Sequence, residues 1–297
     1  MHTHYTGELA ALLVAVFWTI TALAFESATK RIGSMAVNIG RLVFAFVFLS
    51  LFNFFYRGFL FPTDAGIHAW FWLSLSGLVG FVFGDYFLFH SYRLISSRIS
   101  MLIMTFVPPV TAILGWILLG EAMKAQHLIG MTLTVGGIGL TIFNKPEGQK
   151  FGLKYPAKGI LFAFFGVIGQ AGGLILSKIG MGSYSPFAST QIRIIAGIAG
   201  FGLIIILTGK TGTVIRSFQN RIALRGVTIG SFFGPFLGVS FSLLAIQHTS
   251  TGIASTLMSI VPILILPPAA LLFHQKIDWV DVLGALISVF GVVLFFI

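Results

Sequence analysis

The chain has 297 residues, 57% of them hydrophobic and only 9% charged, with a mean hydropathy of +0.99. A soluble domain carries roughly a quarter of its residues as charges, so lipid must be the solvent here, and the length holds about ten or eleven spans of some 20 apolar residues. The net charge of +10 lies in short loops between apolar runs, where topology signals sit, which argues against nucleic acid, and the absence of cysteine excludes thiol catalysis and Cys-ligated metal.

The N-terminal segment, MHTHYTGELAALL, lacks the basic n-region and small-residue cleavage site of a signal peptide, so its apolar run is expected to persist as a helix. Spans are predicted at 8–26, 35–55, 69–92, 97–119, 126–143, 159–179, 186–208, 226–247, 251–273 and 279–297. Helix is the element expected throughout, because lipid cannot satisfy an open backbone and the runs are longer than barrel strands. Asn144, Lys145 and Pro146 close the fifth span, and 144–158, with four lysines and two prolines, forms the basic loop between a first unit (1–143) and a second (159–297).

Three ionisable groups fall well inside predicted spans: Arg41, Asp85 and Arg193. A charge at the centre of a span costs about 2.5–3.5 kcal/mol on insertion scales, so each is expected to face protein or a watery cavity. Arg41 and Arg193 lie at similar depths in the two halves, and either contact an anion or tether neighbouring helices structurally. Asp85 is either a titrating or cation-contacting carboxylate or one member of a buried pair with an arginine. Tyr86 and His90, four apart, share one helix face; Asp85 and Tyr92, seven apart, share another. Pro108, Pro109, Pro262, Pro267 and Pro268 interrupt apolar runs, each removing a backbone donor, and such breaks are tolerated where they line a cavity or pack on protein. Met101 and Thr105 precede the first of these prolines, Ser255 and Ser259 the third, as a polar-tinged stripe that lines a cavity or packs helices. Trp18 and Gln170 complete the candidate substrate contacts. The 35 glycines are read chiefly as packing residues, notably Gly130 and Gly137 with Gly284 and Gly291. Segment 211–225 sets Val214, Phe218 and Ile222 among basic residues, in the pattern of a short interfacial helix or a solvated basic loop.

The halves repeat. A shift of 154 residues places Gly80 on Gly234, Gly84 on Gly238, Phe87 on Phe241, Pro108 on Pro262, Gly130 on Gly284 and Gly137 on Gly291, with 13 identities over the 64 positions from 80 to 143. An odd number of spans per repeat forces the halves into opposite orientations, the plan of many secondary transporters. Asp85 falls on Val239, so the duplication itself does not require an acid there. The predicted spans put thirteen basic residues on one side, from Lys30 and Arg31 to Lys276, against Arg57, Lys124 and Lys178 on the other. The positive-inside rule then places both termini outside the cytoplasm of an inner (plasma) membrane protein.

An enzyme should show its catalytic set. No HExxH and no GxxxxGK[ST] loop is present, and the paired carboxylates of an intramembrane protease are missing, since the other acids sit at span ends or in loops. His2 and His4 are read as incidental. No catalytic residue, metal or cofactor is therefore expected. The combination of Phe17-Trp18, Arg41, Pro108…Gly115…Gly120-Glu121 and Gly130…Gly137, with a weaker copy in the second half, resembles the drug/metabolite transporter superfamily, in its EamA-like ten-helix branch. That resemblance implies an all-α membrane protein of two five-helix inverted repeats, with spans one, three, four, six, eight and nine around a central cavity, and export of amino acids or other small metabolites. The sequence departs from the pattern at Gln275, opposite Glu121, and at Asp85. The reading carried forward is a secondary carrier of a small metabolite working by alternating access, with protons as a candidate coupling ion. Its rivals are a membrane-embedded enzyme or accessory protein acting on lipid, and a channel.

Overall fold

The computed structural model describes residues 6–119, 125–143, 155–248, 254, 257–273 and 277–296, and among them every regular element is helical. Among the described residues five helical runs are long and apolar enough to cross a membrane: Thr6–Arg57, Ile67–Thr111, Ala157–Met181, Pro186–Leu207 and Arg221–His248. The first two, at 52 and 45 residues, are about twice the length of one span, and each turns once. Gly33 (φ 81°) divides the first into α1 (6–32) and α2 (34–57). Ser96 (φ 68°) divides the second, giving α3 (67–95) and α4 (97–119). Then come α5 (Ala125–Phe143), α6 (Ala157–Met181), α7 (Pro186–Leu207), the short α8 (Thr211–Ser217), α9 (Arg221–His248), α10 (257–273) and α11 (Trp279–Phe296). Over its described residues each predicted span lies in helix, apart from Thr208 at the end of α7 and turns at Ser259–Ile260 and Ile265 in α10.

Two kinds of interruption recur at the 154-residue shift. Residues Leu78–Gly84 of α3 and Phe232–Gly238 of α9 are widened π-turns, the kind of helix defect often found at functional sites. Met104–Phe106 is a 3₁₀ turn from which α4 restarts at Val107, and the turn before Val261 is its counterpart in α10. Pro108 and Pro262 thus sit in the first turn of a restarted helix, where the missing N–H has no intrahelical partner to lose.

Glycines set the distances between helices. Along α3 and α6, Gly84 lies against Gly169 and Gly80 against Gly173; a methyl added at Gly173 would come within 2.9 Å of the Gly80 Cα. Ser76 Oγ donates to the Gly173 carbonyl at 2.6 Å across the same seam. The α5–α11 seam is built likewise: Thr134 Oγ1 donates to the Ser288 carbonyl (3.3 Å) and Ser288 Oγ to that of Thr134 (3.4 Å). Around that point, Gly137 abuts Gly284 and Ser288, while Gly291 abuts Gly130 and Thr134.

The outer surface is apolar, with Phe55, Ile67, Leu207 and Leu271 more than three-quarters exposed. This is what a lipid-facing surface requires and what a soluble one avoids. The segment read as an interfacial helix divides. Val214 is buried against Ala36 and Ile205, and Phe218 packs beside it and against Gly40, whereas Ile222 is exposed. Part of its apolar stripe therefore docks on the protein. A new helix starts at Arg221, with Asn220 as its cap: Oδ1 accepts from the Ala223 N–H at 3.0 Å.

The α5–α11 seam makes a direct test. A side chain at Gly137 would strike Ser288 Oγ at 2.5 Å and the Gly284 carbonyl at 2.6 Å, whereas Gly136 has open space. Gly137→Leu is expected to cost about 1–3 kcal/mol or more through overpacking and to lower the thermal midpoint in detergent, with Gly136→Ala unchanged. Equal midpoints for the two variants would remove the close approach.

Candidate functional site

A cavity of about 170 Å³ lies between α1, α3, α4, α6, α9 and α10. Its wall is largely apolar and aromatic (Phe25, Phe81, Phe89, Tyr92, Met104, Met258), and two arginines reach it from α2 and α7. The π-turns and restarted helices bound it: Phe81, Gly234 and Pro235 come from the π-turns, and Val107, Pro108, Val261 and Pro262 from the restarts. An irregular backbone is sustainable at this depth only where it meets protein or a cavity.

Asp85 begins the regular helix directly after the first π-turn, and its N–H reaches back to the Gly80 carbonyl. Its carboxylate is engaged on both oxygens: Arg41 Nη2 donates to Oδ2 at 2.5 Å and Gln170 Nε2 to Oδ1 at 2.6 Å. Asn38 completes the knot. Its Oδ1 accepts from Arg41 Nε at 3.1 Å, and its Nδ2 donates to the Asp85 carbonyl at 3.3 Å. Gln170 reaches this acid because Gly169 lets α6 close on Gly84. The Arg41 guanidinium also lies 5.0 Å from the Phe89 ring centre and 5.2 Å from that of Phe81, a favourable placement for a cation.

Arg193 is buried too, with its guanidinium 4.7 Å from the centre of the Phe81 ring in space left by Gly80, while Gly77 admits its backbone. Unlike Arg41, it has no carboxylate within ion-pairing distance among the described residues, and its Nε has no hydrogen-bond partner. Thr21 Oγ1, on the same cavity wall, is likewise buried without a partner.

Of the residues singled out from the sequence, Trp18, Arg41, Asp85, Met101, Thr105, Pro108, Gln170, Arg193, Ser259 and Pro262 line this one cavity. Tyr86 and His90 do not. Tyr86 packs in the cluster of Leu42, Phe201 and Phe236, and the His90 ring bonds Ser34 Oγ and the Tyr86 carbonyl. They share a face, as expected, but that face turns toward α2, with Tyr86 also packed on α7, while Asp85 lines the cavity. Pro109, Pro267 and Pro268 are outside the lining, and Ser255 lies outside the described residues. Sequence reasoning passed over Thr21, Phe25, Phe81 and Phe89, whose types are too common in lipid-facing helices to stand out. Met104 and Met258 had a signal: they are identical across the 154-residue shift.

Each end of the cavity is tied by charges. At the end bearing Lys30, buried Glu26 accepts from the Ser97 N–H (2.9 Å) and Ser97 Oγ, and pairs with Lys30 at 2.5 Å. This carboxylate serves the free amide at the start of α4. Beside it, Arg98 pairs with Asp281 at 3.0 Å. At the opposite end Asp64 accepts from Arg57 and from Tyr184 Oη (2.8 Å). Burial alone would raise the Asp64 carboxyl, but the Tyr184 hydrogen bond and the Arg57 guanidinium outweigh it and hold the group below its ordinary 3.8.

The Arg41–Asp85 pair invites a mutant cycle. Asp85→Asn strands a buried guanidinium and is expected to destabilise by about 3–5 kcal/mol, whereas replacing both members with apolar residues (Arg41→Met, Asp85→Leu) should recover most of that loss. Thermal unfolding in detergent gives the numbers. Additive losses would mean that the pair is not a unit.

The family description "EamA-like transporter family" matches residues 5–143 and again 157–297. No curated protein matches the sequence. Among solved structures, one titled only as the crystal structure of a protein superposes with a TM-score of 0.65 at 14% identity, covering 97% of this chain and 95% of its own. At that identity the likeness speaks for the fold alone.

Proposed function

Since this chain belongs to the EamA-like transporter family, a family of membrane transporters, we propose that it is a secondary carrier that moves a small metabolite outward through the cavity by alternating access. The observation that carries this is the enclosure of one cavity by kinked helices from both halves, with its end ties joining α4 to α11 at one end and the loop after α2 to the loop before α7 at the other. We read ten spans in two five-span repeats, 1–143 and 159–297, around the basic loop 144–158. The inverted arrangement is supported by the α5–α11 seam. Thr134 meets its own repeat counterpart Ser288, and the contact of Gly137 with Gly284 is mirrored by that of Gly291 with Gly130. Reciprocal contacts about a self-paired point are the mark of a two-fold axis. Here they join helices that run in opposite directions, as a two-fold in the membrane plane requires.

The recurrence of the π-turns and proline restarts in both halves favours rocking of one repeat against the other over a fixed pore. The rival reading, an enzyme acting on lipid, needs a reactive set, and among the described residues the one carboxylate in the cavity wall has both oxygens occupied. Coupling to protons would rest on that same carboxylate.

Reconstitution tests the carrier. Vesicles containing the protein should show saturable counterflow of a metabolite drawn from a panel, and Met104→Trp, which fills the cavity, should reduce it more than tenfold while the protein stays folded. Unchanged flux would place the path elsewhere. Asp85→Asn in the same vesicles addresses coupling: proton use through this residue requires a folded variant that has lost pH-dependent flux, and flux unchanged at every pH excludes it.

Orientation is tested independently. The thirteen-to-three distribution of basic residues under the positive-inside rule places both termini outside the cytoplasm of the inner membrane. A C-terminal fusion that fluoresces only in the cytoplasm should stay dark, and bright cells would overturn the orientation.

A further inference from the structure

We propose that the solute is a small monoanion, a carboxylate on an apolar or aromatic body, and that Arg193 holds its charged group. This rests on the carrier reading for the path and adds the chemistry of what enters it.

The charges in the cavity wall do not balance. Arg41 and Arg193 supply two cations and Asp85 supplies one anion. Arg41 consumes that anion by direct contact, and Gln170 occupies its second oxygen. The duplication explains the imbalance. At the position equivalent to Asp85 the second half has Val239, which also lines the cavity, so the acid that neutralises one arginine has no counterpart for the other. Arg193 is 4% exposed and its Nε is unpartnered; the ring of Phe81 is its close contact, and Asp85, already bound to Arg41, acts on it only from beyond ion-pairing distance. A buried guanidinium is stable only with a partner, and its planar fork is matched to a carboxylate.

The remaining surface defines the rest of the ligand. Aromatic and methionine side chains line the wall, suiting an apolar body, and Thr21 Oγ1 adds one unspent hydroxyl. An ammonium group finds no free carboxylate, because both oxygens of Asp85 are spoken for. The site thereby discriminates against cations and zwitterions, and among the amines and acids of metabolism it selects the acids.

The test uses the full-length purified protein and four probes sharing one ring: phenylacetate, phenylacetamide, phenylalanine and phenethylamine. Binding is measured by calorimetry in detergent, independently of transport. Phenylacetate should bind, with the amide, zwitterion and amine at least about tenfold weaker, the scale of one charge-assisted hydrogen bond. In Arg193→Gln the preference for the anion over the amide should collapse to within about twofold. Arg193→Lys, which keeps the charge without the fork, should retain part of it and serves if the glutamine variant does not fold. Amide or amine binding as tight as the acid, no binding of any probe to the wild type, or a preference that survives Arg193→Gln would each overturn the proposal. Phenylacetate that binds through Arg193 but does not exchange across vesicles would uphold the anion site and sink the carrier reading instead.

Discussion

A guanidinium in the middle of a membrane-buried bundle must be answered by an acid or by polar atoms, and around Arg41 the answer organises three helices. Asp85 supplies the charge from α3, Gln170 the second donor from α6, and Asn38 an acceptor and a donor from α2 itself. None of these contacts forms unless the backbones are close. Gly84 against Gly169 supplies that closeness, and the π-turn ending at Gly84 sets the turn from which Asp85 projects into the cavity. The knot is therefore a consequence of small residues and a helix defect as much as of charge. Its energetics are asymmetric in the way of buried pairs: little is gained over an apolar replacement of both members, and much is lost if one is left alone. Such a knot specifies which helices meet, a different task from adding stability.

The two halves share backbone devices and differ in polar side chains. π-turns, proline restarts and glycine seams recur at the same shift, whereas Asp85 gives way to Val239 and Thr105 to Ser259. Backbone geometry is constrained by packing throughout the bundle, so a defect that bends one helix must be matched by its neighbours. A side chain facing a cavity has no such neighbours to satisfy. Duplication thus leaves a symmetric scaffold around an asymmetric site, and the chemistry resides in the asymmetry.

Much of the scaffold was legible in the sequence because lipid imposes a simple rule: long apolar runs must be helix. The glycine and proline register exposed the repeat, and the rarity of charge in the runs pointed to Arg41, Asp85 and Arg193. Facing was harder. Tyr86 and His90 follow Asp85 in the chain, yet they lie outside the cavity, His90 on Ser34 of α2 and Tyr86 against α2 and α7; a widened turn precedes them, and apolar faces in lipid carry no alternation of polar and apolar residues from which to read direction. The aromatic lining was not legible at all. Among 32 phenylalanines, nothing in composition separates Phe81, which stacks on two guanidinium groups, from Phe55, which faces outward. Glu26 and Asp281 were read as span-end acids of no special note; their task depends on Ser97 and Arg98, partners distant in the chain that the helix turns bring near.

The ends of the cavity are held with unequal strength, and that inequality bears on how a carrier would move. The tie between Arg98 and Asp281 is buried on both sides, at 8% and 2% side-chain exposure, whereas Arg57 and Asp64 are 15% and 33% exposed. Water competes for the second pair and salt screens it, so an exposed pair is worth about 0–1 kcal/mol. Parting the first strands two desolvated charges unless water enters as they separate. Arg98 and Asp281 join the two halves directly, whereas Arg57 and Asp64 both belong to the first half and reach the second through Tyr184, whose hydroxyl donates to Asp64 at 2.8 Å. Alternating access requires the two to open in turn, and with these solvations the Asp64 end is the easier to part. An anion seated on Arg193 changes the balance in the centre: it neutralises the excess positive charge that otherwise repels Arg41 across the cavity, and so favours closure of the halves around it. On this view solute binding and closure are coupled through electrostatics in the wall, and an empty cavity stays the more easily opened state.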